Sequence, residues 1–132
     1  MKHLVFVYGS LKKGFPNYHV ISEGDDSQLI METTTSDNYD MISLGVFPAV
    51  IKQRSWAKIK GEVYAVDDLT MDVLDMLESN GEFYRRELIS VDFMEEPVWC
   101  YFLMKPNSYQ PYDYKNVATE KNALVWKRNL VW

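Results

Sequence analysis

The sequence predicts a single α+β domain, on three observations. The 132 residues suffice for one hydrophobic core and are too few for several domains. Short apolar, β-rich runs recur along the chain, and one of them leads into a stretch of helical period from Asp67 to Glu78, the mixture of patterns expected of α+β architecture. The composition, 47% hydrophobic and 14% aromatic against 25% charged, is that of a packed chain and excludes disorder. The sequence carries no repeat, linker or low-complexity run.

Each element follows from local chemistry. The opening HLVFVYGSL is apolar and meets Gly9, so it reads as an inner strand entering a tight turn. In KKGFPNYHVISEGDDSQL, Gly14, Pro16 and Gly24 break any long periodic element, leaving a loop with at most a short helix. TTTSDNYDMISLG and VFPAVIK read as edge or hairpin strands divided at Gly45, and Pro48 argues against a fully paired central position. AKIKGEVYAV alternates Ile59, Gly61, Val63 and Ala65 along one face, with Gly61 marking a bulge or a close approach. Asp67–Glu78 is a helix with Asp67 or Asp68 as N-cap, ended by Ser79, Asn80 and Gly81. FYRRELISVDF and EPVWCYFLM join around Met94, Glu95 and Glu96, too short a connection for a crossover helix, so the two strands are antiparallel. The last segment, from Lys105 to Trp132, begins as Pro- and Tyr-rich coil and ends in a weakly periodic piece that closes over the sheet.

Nineteen acidic against 14 basic residues give a net charge of -5, which excludes nucleic acid and anionic membrane as partners in the absence of a local basic patch. The basic pairs Lys12-Lys13, Arg85-Arg86 and Lys127-Arg128 form no stripe. Cys100 stands alone, and His3 and His19 lack ligand spacing, so neither a disulfide nor a metal is expected. With no leader-like start and no apolar run of membrane-spanning length, a reducing, cytoplasmic location is the expectation.

Three places invite chemistry. The first is Tyr8-Gly9-Ser10-Leu11-Lys12-Lys13-Gly14. Gly9 and Gly14 have the outer spacing of a nucleotide P-loop, but Phe15 stands where the lysine is required. Two readings stand: an anion-binding turn whose backbone N–H groups converge on a carboxylate, or a plain tight turn with a solvated lysine pair. The second is Glu78. At 100° per residue, Leu69, Met71, Val73, Leu74, Met76 and Leu77 form a broad apolar arc, and Glu78 falls between Leu74 and Met71. Burial and the helix C-terminus would both raise its pKa, as suits a group that takes and returns a proton near neutrality. The alternative is a frayed end at which Glu78 turns to water or pairs with Arg85 or Arg86. Asp72 and Asp75 read as a solvated face. The third is Phe83-Tyr84-Arg85-Arg86-Glu87, where period two sends only one arginine toward a pocket. Tyr84 is placed to bond Glu78 or a substrate, or to pack over the helix. Cys100 reads as a core thiol, His3 and His19 as incidental, and Ser10 lacks the surroundings of a nucleophile elbow.

VFVYGSLKKG, GVFPA, GEVYAVD, the helix ending LDMLES and then FYRREL, in this order over residues 4–104, resemble the gamma-glutamylcyclotransferase-like superfamily, and within it the gamma-glutamylamine cyclotransferase group. The resemblance implies a small mixed barrel with flanking helices and a pocket between the first-strand loop and the acid after the helix. It implies that backbone amides of Tyr8, Gly9, Ser10 and Leu11 hold a substrate α-carboxylate, that Glu78 is the acid-base, and that Tyr84 lies near it. The implied substrate is a small gamma-glutamyl compound whose α-amine attacks its own γ-carbonyl, giving 5-oxoproline and a free amine, with no cofactor or metal, in a monomer. The alternative is a noncatalytic small-molecule binding or interaction module on the same fold.

Overall fold

The computed structural model describes residues 2–24, 26–53 and 56–127. The strands and helices are β1 (His3–Val7), α1 (His19–Ser22), β2 (Gln28–Thr34), β3 (Asp40–Ser43), β4 (Pro48–Ile51), β5 (Lys58–Val66), α2 (Asp68–Leu77), β6 (Tyr84–Ile89), β7 (Val98–Leu103), β8 (Val117–Glu120) and β9 (Ala123–Trp126). The strands form one mixed sheet in the order β3-β4-β7-β1-β5-β9-β8, with β2 added on β5 and β6 on β7. It curls toward a barrel, as the resemblance implied, and the two helices flank it.

The apolar run of β1 reflects burial on both faces. Val5 and Val7 pack into the cluster under the helices with Leu74 and Tyr101, while Phe6 and Tyr8 enter the opposite cluster with Val63 and Phe102. Gly61 is a close approach: a Cβ there would lie 2.5 Å from the Val7 carbonyl and 2.6 Å from the Phe6 ring. The bulge lies instead in β2, between Leu29 and Met31.

Strand register explains where the site forms. β1 runs antiparallel to β5 as far as Val7 opposite Glu62, and parallel to β7 with Val5 opposite Trp99. Beyond Val7 the chain turns away. β9 then takes up β5 at Lys58 and Ile59, and β4 takes up β7 at Phe102. The other edges of β5 and β7 are already held by β2 and β6, so β9 and β4 occupy the places β1 vacates. The loop after β1 therefore emerges through a seam in the sheet.

Three expectations need correction. Gln28 and Leu29, expected in a loop, and Thr33 and Thr34, expected in the next strand, belong to one strand, Gln28–Thr34, and the next strand begins only at Asp40; most side chains of Gln28–Thr34 are exposed, so no apolar alternation announces it. The weakly periodic tail is the hairpin β8–β9, whose turn residues Lys121 and Asn122 have positive φ; its last five residues, 128–132, lie outside the described residues. The broad apolar arc of α2 is not buried as a whole. Only Thr70, Met71 and Leu74 are buried, whereas Leu69 is 72% and Met76 79% exposed, because a helix on the flank of a sheet touches it along one narrow line.

β3 and β4 form the expected hairpin, but β4 is internal to the sheet, between β3 and β7, and tolerates Pro48 because the proline stands at its first position, opposite Ser43. Asp67 caps α2 by accepting the Thr70 N–H at 2.8 Å. β6 and β7 pair antiparallel over their whole length. Cys100 is fully buried, and burial raises its thiol pKa.

Candidate active site

A cavity of about 170 Å³ opens at the seam, lined by the loop Tyr8–Leu11, Asn17, Phe47, Pro48, Glu78, Phe83, Tyr84 and Tyr101, among others. The structure thus brings Tyr8, Gly9, Ser10, Leu11, Glu78 and Tyr84 to one place.

The loop is shaped by one contact and a set of turns. Gly9 lies against the Pro48 ring, and a Cβ on it would sit 2.7 Å from both Cγ and Cδ. The Lys12 N–H donates to the Gly9 carbonyl at 3.0 Å, and the Asn17 N–H and Nδ2 donate to the Ser10 carbonyl and Oγ at 2.8 and 3.0 Å. Among the described residues the N–H groups of Ser10 and Leu11 have no acceptor, although Leu11 is only 4% exposed. Buried backbone donors are almost always paired in native proteins. Two unpaired ones at a cavity wall suit an anionic ligand.

Glu78 faces them from α2. Thr70, Leu74 and Glu78 stand four residues apart, so Glu78 continues the buried line of the helix one turn past its end. It is the C-cap, its N–H donating to the Leu74 carbonyl at 2.9 Å, and the chain turns away at Ser79 and Gly81, both with positive φ. Among the described residues no hydrogen bond or ion pair reaches its carboxyl. Burial pushes its pKa from 4.5 up to about 7.

The arginines behave otherwise than expected. Neither lines the cavity. Arg85 is exposed, while Arg86 Nε donates to Asp75 at 2.9 Å and its guanidinium stacks over Trp99 at 4.2 Å. Asp75 also accepts the Tyr101 hydroxyl at 2.7 Å. It is therefore no solvated acid but a tie between α2 and the sheet, three residues before Glu78.

The hydroxyls of Tyr8 and Tyr84 are committed to backbone. Tyr8 donates to the Tyr101 carbonyl at 2.7 Å and accepts the Val50 N–H at 3.2 Å, and Tyr84 donates to the Pro48 carbonyl at 2.9 Å rather than to Glu78. Burial holds the pKa of both well above the ordinary phenol value. Sequence reasoning missed Asn17, Phe47 and Tyr101, which no local pattern distinguishes. Among the described residues no His, Cys, Asp and Glu group is arranged to hold a metal, and no helix is long and apolar enough to cross a membrane.

The raised pKa has a consequence for stability. Between about 4.5 and 7 the folded chain keeps a proton on Glu78 that the unfolded chain releases. This contribution is fully present below the unfolded value and is lost as pH rises through the folded one. Glu78→Gln removes the titration. The variant is expected to exceed the parent by on the order of 2 kcal/mol at pH 8, after discounting for partial exposure, with the gap closing toward pH 4.5. Urea melts at the two pH values check this, and a gap that widens on acidification refutes it.

The model of the family "Gamma-glutamyl cyclotransferase, AIG2-like" matches residues 5–124. The Escherichia coli K12 gamma-glutamylcyclotransferase family protein YtfP is 33% identical over 102 residues, 77% of this chain and 83% of the relative. Gamma-glutamylaminecyclotransferase B of Danio rerio is 32% identical over 125 residues, 88% of this chain and 65% of the relative. The crystal structure of a mouse AIG2-like protein shares the fold, with a TM-score of 0.72 at 22% identity over 98% of this chain and 99% of that one. A family match over nearly the whole domain, joined to relatives above 30% identity, places this chain in the gamma-glutamyl cyclotransferase, AIG2-like family.

Proposed function

We propose that the chain converts a gamma-glutamyl amine or gamma-glutamyl amino acid to 5-oxoproline and the free amine, with Glu78 moving the proton. The carrying observation is the pairing, across one cavity, of an unpartnered carboxyl with pKa about 7 and the unbonded N–H groups of Ser10 and Leu11.

In this reading the two amides hold the substrate α-carboxylate, which fixes the α-nitrogen and γ-carbonyl relative to Glu78. The ionised Glu78 takes a proton from the α-ammonium group. The freed amine attacks the γ-carbonyl carbon and forms the ring C–N bond. The bond from that carbon to the leaving nitrogen then breaks as protonated Glu78 gives its proton to that nitrogen, and the regenerated carboxylate takes the second proton from the ring nitrogen and passes it to the released amine, which leaves as an ammonium ion. Atoms and charge balance without a co-reactant. Holding the substrate folded turns closure into a reaction of neighbouring groups, and a base matched to neutral pH adds the proton transfer.

The test is 5-oxoproline release by the purified protein from gamma-glutamyl-ε-lysine, gamma-glutamyl alkylamines, gamma-glutamyl dipeptides and glutathione, followed across pH. Turnover is expected with an acid limb near pH 7, where Glu78 titrates. An active protein whose rate is flat from pH 5 to 8 removes Glu78 from the proton-transfer role. Absence of 5-oxoproline from every substrate overturns the reaction.

A further inference from the structure

Behind the carboxylate-binding loop sits a second acidic residue that the scheme above does not use. Glu62 is the residue of β5 that pairs with Val7, the end of β1, so it stands where the chain leaves the sheet to form the loop. It is only 9% exposed. One of its oxygens, Oε1, accepts both the Lys13 N–H at 3.0 Å and the Tyr64 hydroxyl at 2.8 Å. Burying a carboxyl on an inner strand is unfavourable unless donors meet it. Here one donor comes from the wall of the fold and the other from the loop.

We propose that Glu62 is a positioning residue for substrate binding, acting through Lys13 to hold the Ser10 and Leu11 amides toward the cavity; this rests on the proposed function. The loop backbone is held at two points that flank those amides: Asn17 grips Ser10 by both its backbone and side-chain nitrogens, and Glu62 grips Lys13; the Lys12 side chain adds a contact of its own, its Nζ donating to the Trp126 carbonyl at 3.0 Å. The two anchors meet at their far ends, where the ring of Tyr64 packs 6.1 Å from that of Tyr18, the neighbour of Asn17. The Lys12 and Phe15 N–H groups bond only within the loop, to Gly9 and Lys12, so they brace its shape and not its place. Without Glu62 the backbone at Lys13 would lose its bond to the sheet, and only the long Lys12 side chain would hold that end of the segment, letting it tilt and take Leu11 with it.

The test compares three substitutions on the best substrate of the panel. Glu62→Gln keeps an oxygen for Lys13 and Tyr64, Glu62→Asp draws the carboxyl back by one methylene, and Glu62→Met fills the space with no oxygen. Glu62→Gln is expected to keep KM within about twofold of the parent, whereas the Asp and Met variants raise it about tenfold, the scale of one hydrogen bond. In all three, kcat stays within about threefold and its acid limb stays near pH 7, because Glu78 is untouched. Should the Met variant fail to fold, the Asp variant carries the test. Parent-like KM in the folded Asp and Met variants, or a loss confined to kcat, overturns the assignment while leaving the reaction standing. A parent that turns over nothing overturns the reaction and this role together.

Discussion

Glu78→Gln is expected to lower kcat about a thousandfold while leaving KM within about threefold of the parent. Glutamine has nearly the same shape, so the helix end and the cavity wall persist, and the amides of Ser10 and Leu11 still hold substrate. The lost capacity is proton transfer: a carboxamide neither takes the α-ammonium proton nor gives one to the departing nitrogen. The acid limb near pH 7 should vanish from the residual rate, because the titrating group is gone. The same variant is the one expected to gain stability above pH 7, so activity and stability move in opposite directions at one residue, as they do where a fold retains an unfavourable group for function. Single-turnover kinetics on the parent and a correctly folded variant decide it. A loss of less than tenfold would mean that another group moves the proton.

Gly9→Ala is expected to lower kcat/KM about a hundredfold, chiefly through KM, and to lower Tm by roughly 6–10 °C. The new methyl would stand 2.7 Å from two carbons of the Pro48 ring. A proline ring cannot rotate aside, and this one begins β4 and carries the carbonyl that accepts the Tyr84 hydroxyl. The strain thus falls on the loop, and a displacement of about 1 Å suffices to misalign a bound substrate. Overpacking of this kind costs about 1–3 kcal/mol. Steady-state kinetics beside a thermal melt check both parts, and a variant with parent KM and parent Tm would show that the loop yields without consequence.

Much of this architecture can be read from local pattern, and the exceptions share a cause. β1 and β7 declare themselves by nearly continuous apolar runs and β5 by the apolar residues along one face, whereas β6, with only Tyr84 and Ile89 buried, is legible through its short connection to β7. Glu78 is legible because the four-residue spacing from Thr70 through Leu74 projects it along the buried line of α2. β2 is not, since Gln28, Leu29 and Ile30 are exposed and the strand is held through its backbone pairing with β5. Asp75 misleads for the opposite reason: it looks like a surface acid until Arg86 and Tyr101 arrive from two other strands. The cavity wall is legible only in part, because Asn17, Phe47, Glu78 and Tyr101 converge from distant parts of the chain, and no window of sequence contains such a meeting. The near-barrel closure came from the family resemblance rather than from any periodicity.

The seam beside β1 also governs when the site can exist. β1 precedes β4 and β9, the strands that take over its places, and β9 ends at Trp126, whose carbonyl accepts the Lys12 Nζ at 3.0 Å. The loop after β1 is thus closed by a residue 114 positions further along the chain. Such long-range closure carries a large entropic barrier and slows folding. During synthesis the nascent chain must carry that loop, unsupported on one side, until β9 has left the ribosome. Binding competence is therefore acquired late and all at once, and a chain stopped before β9 would lack it however well the rest had folded.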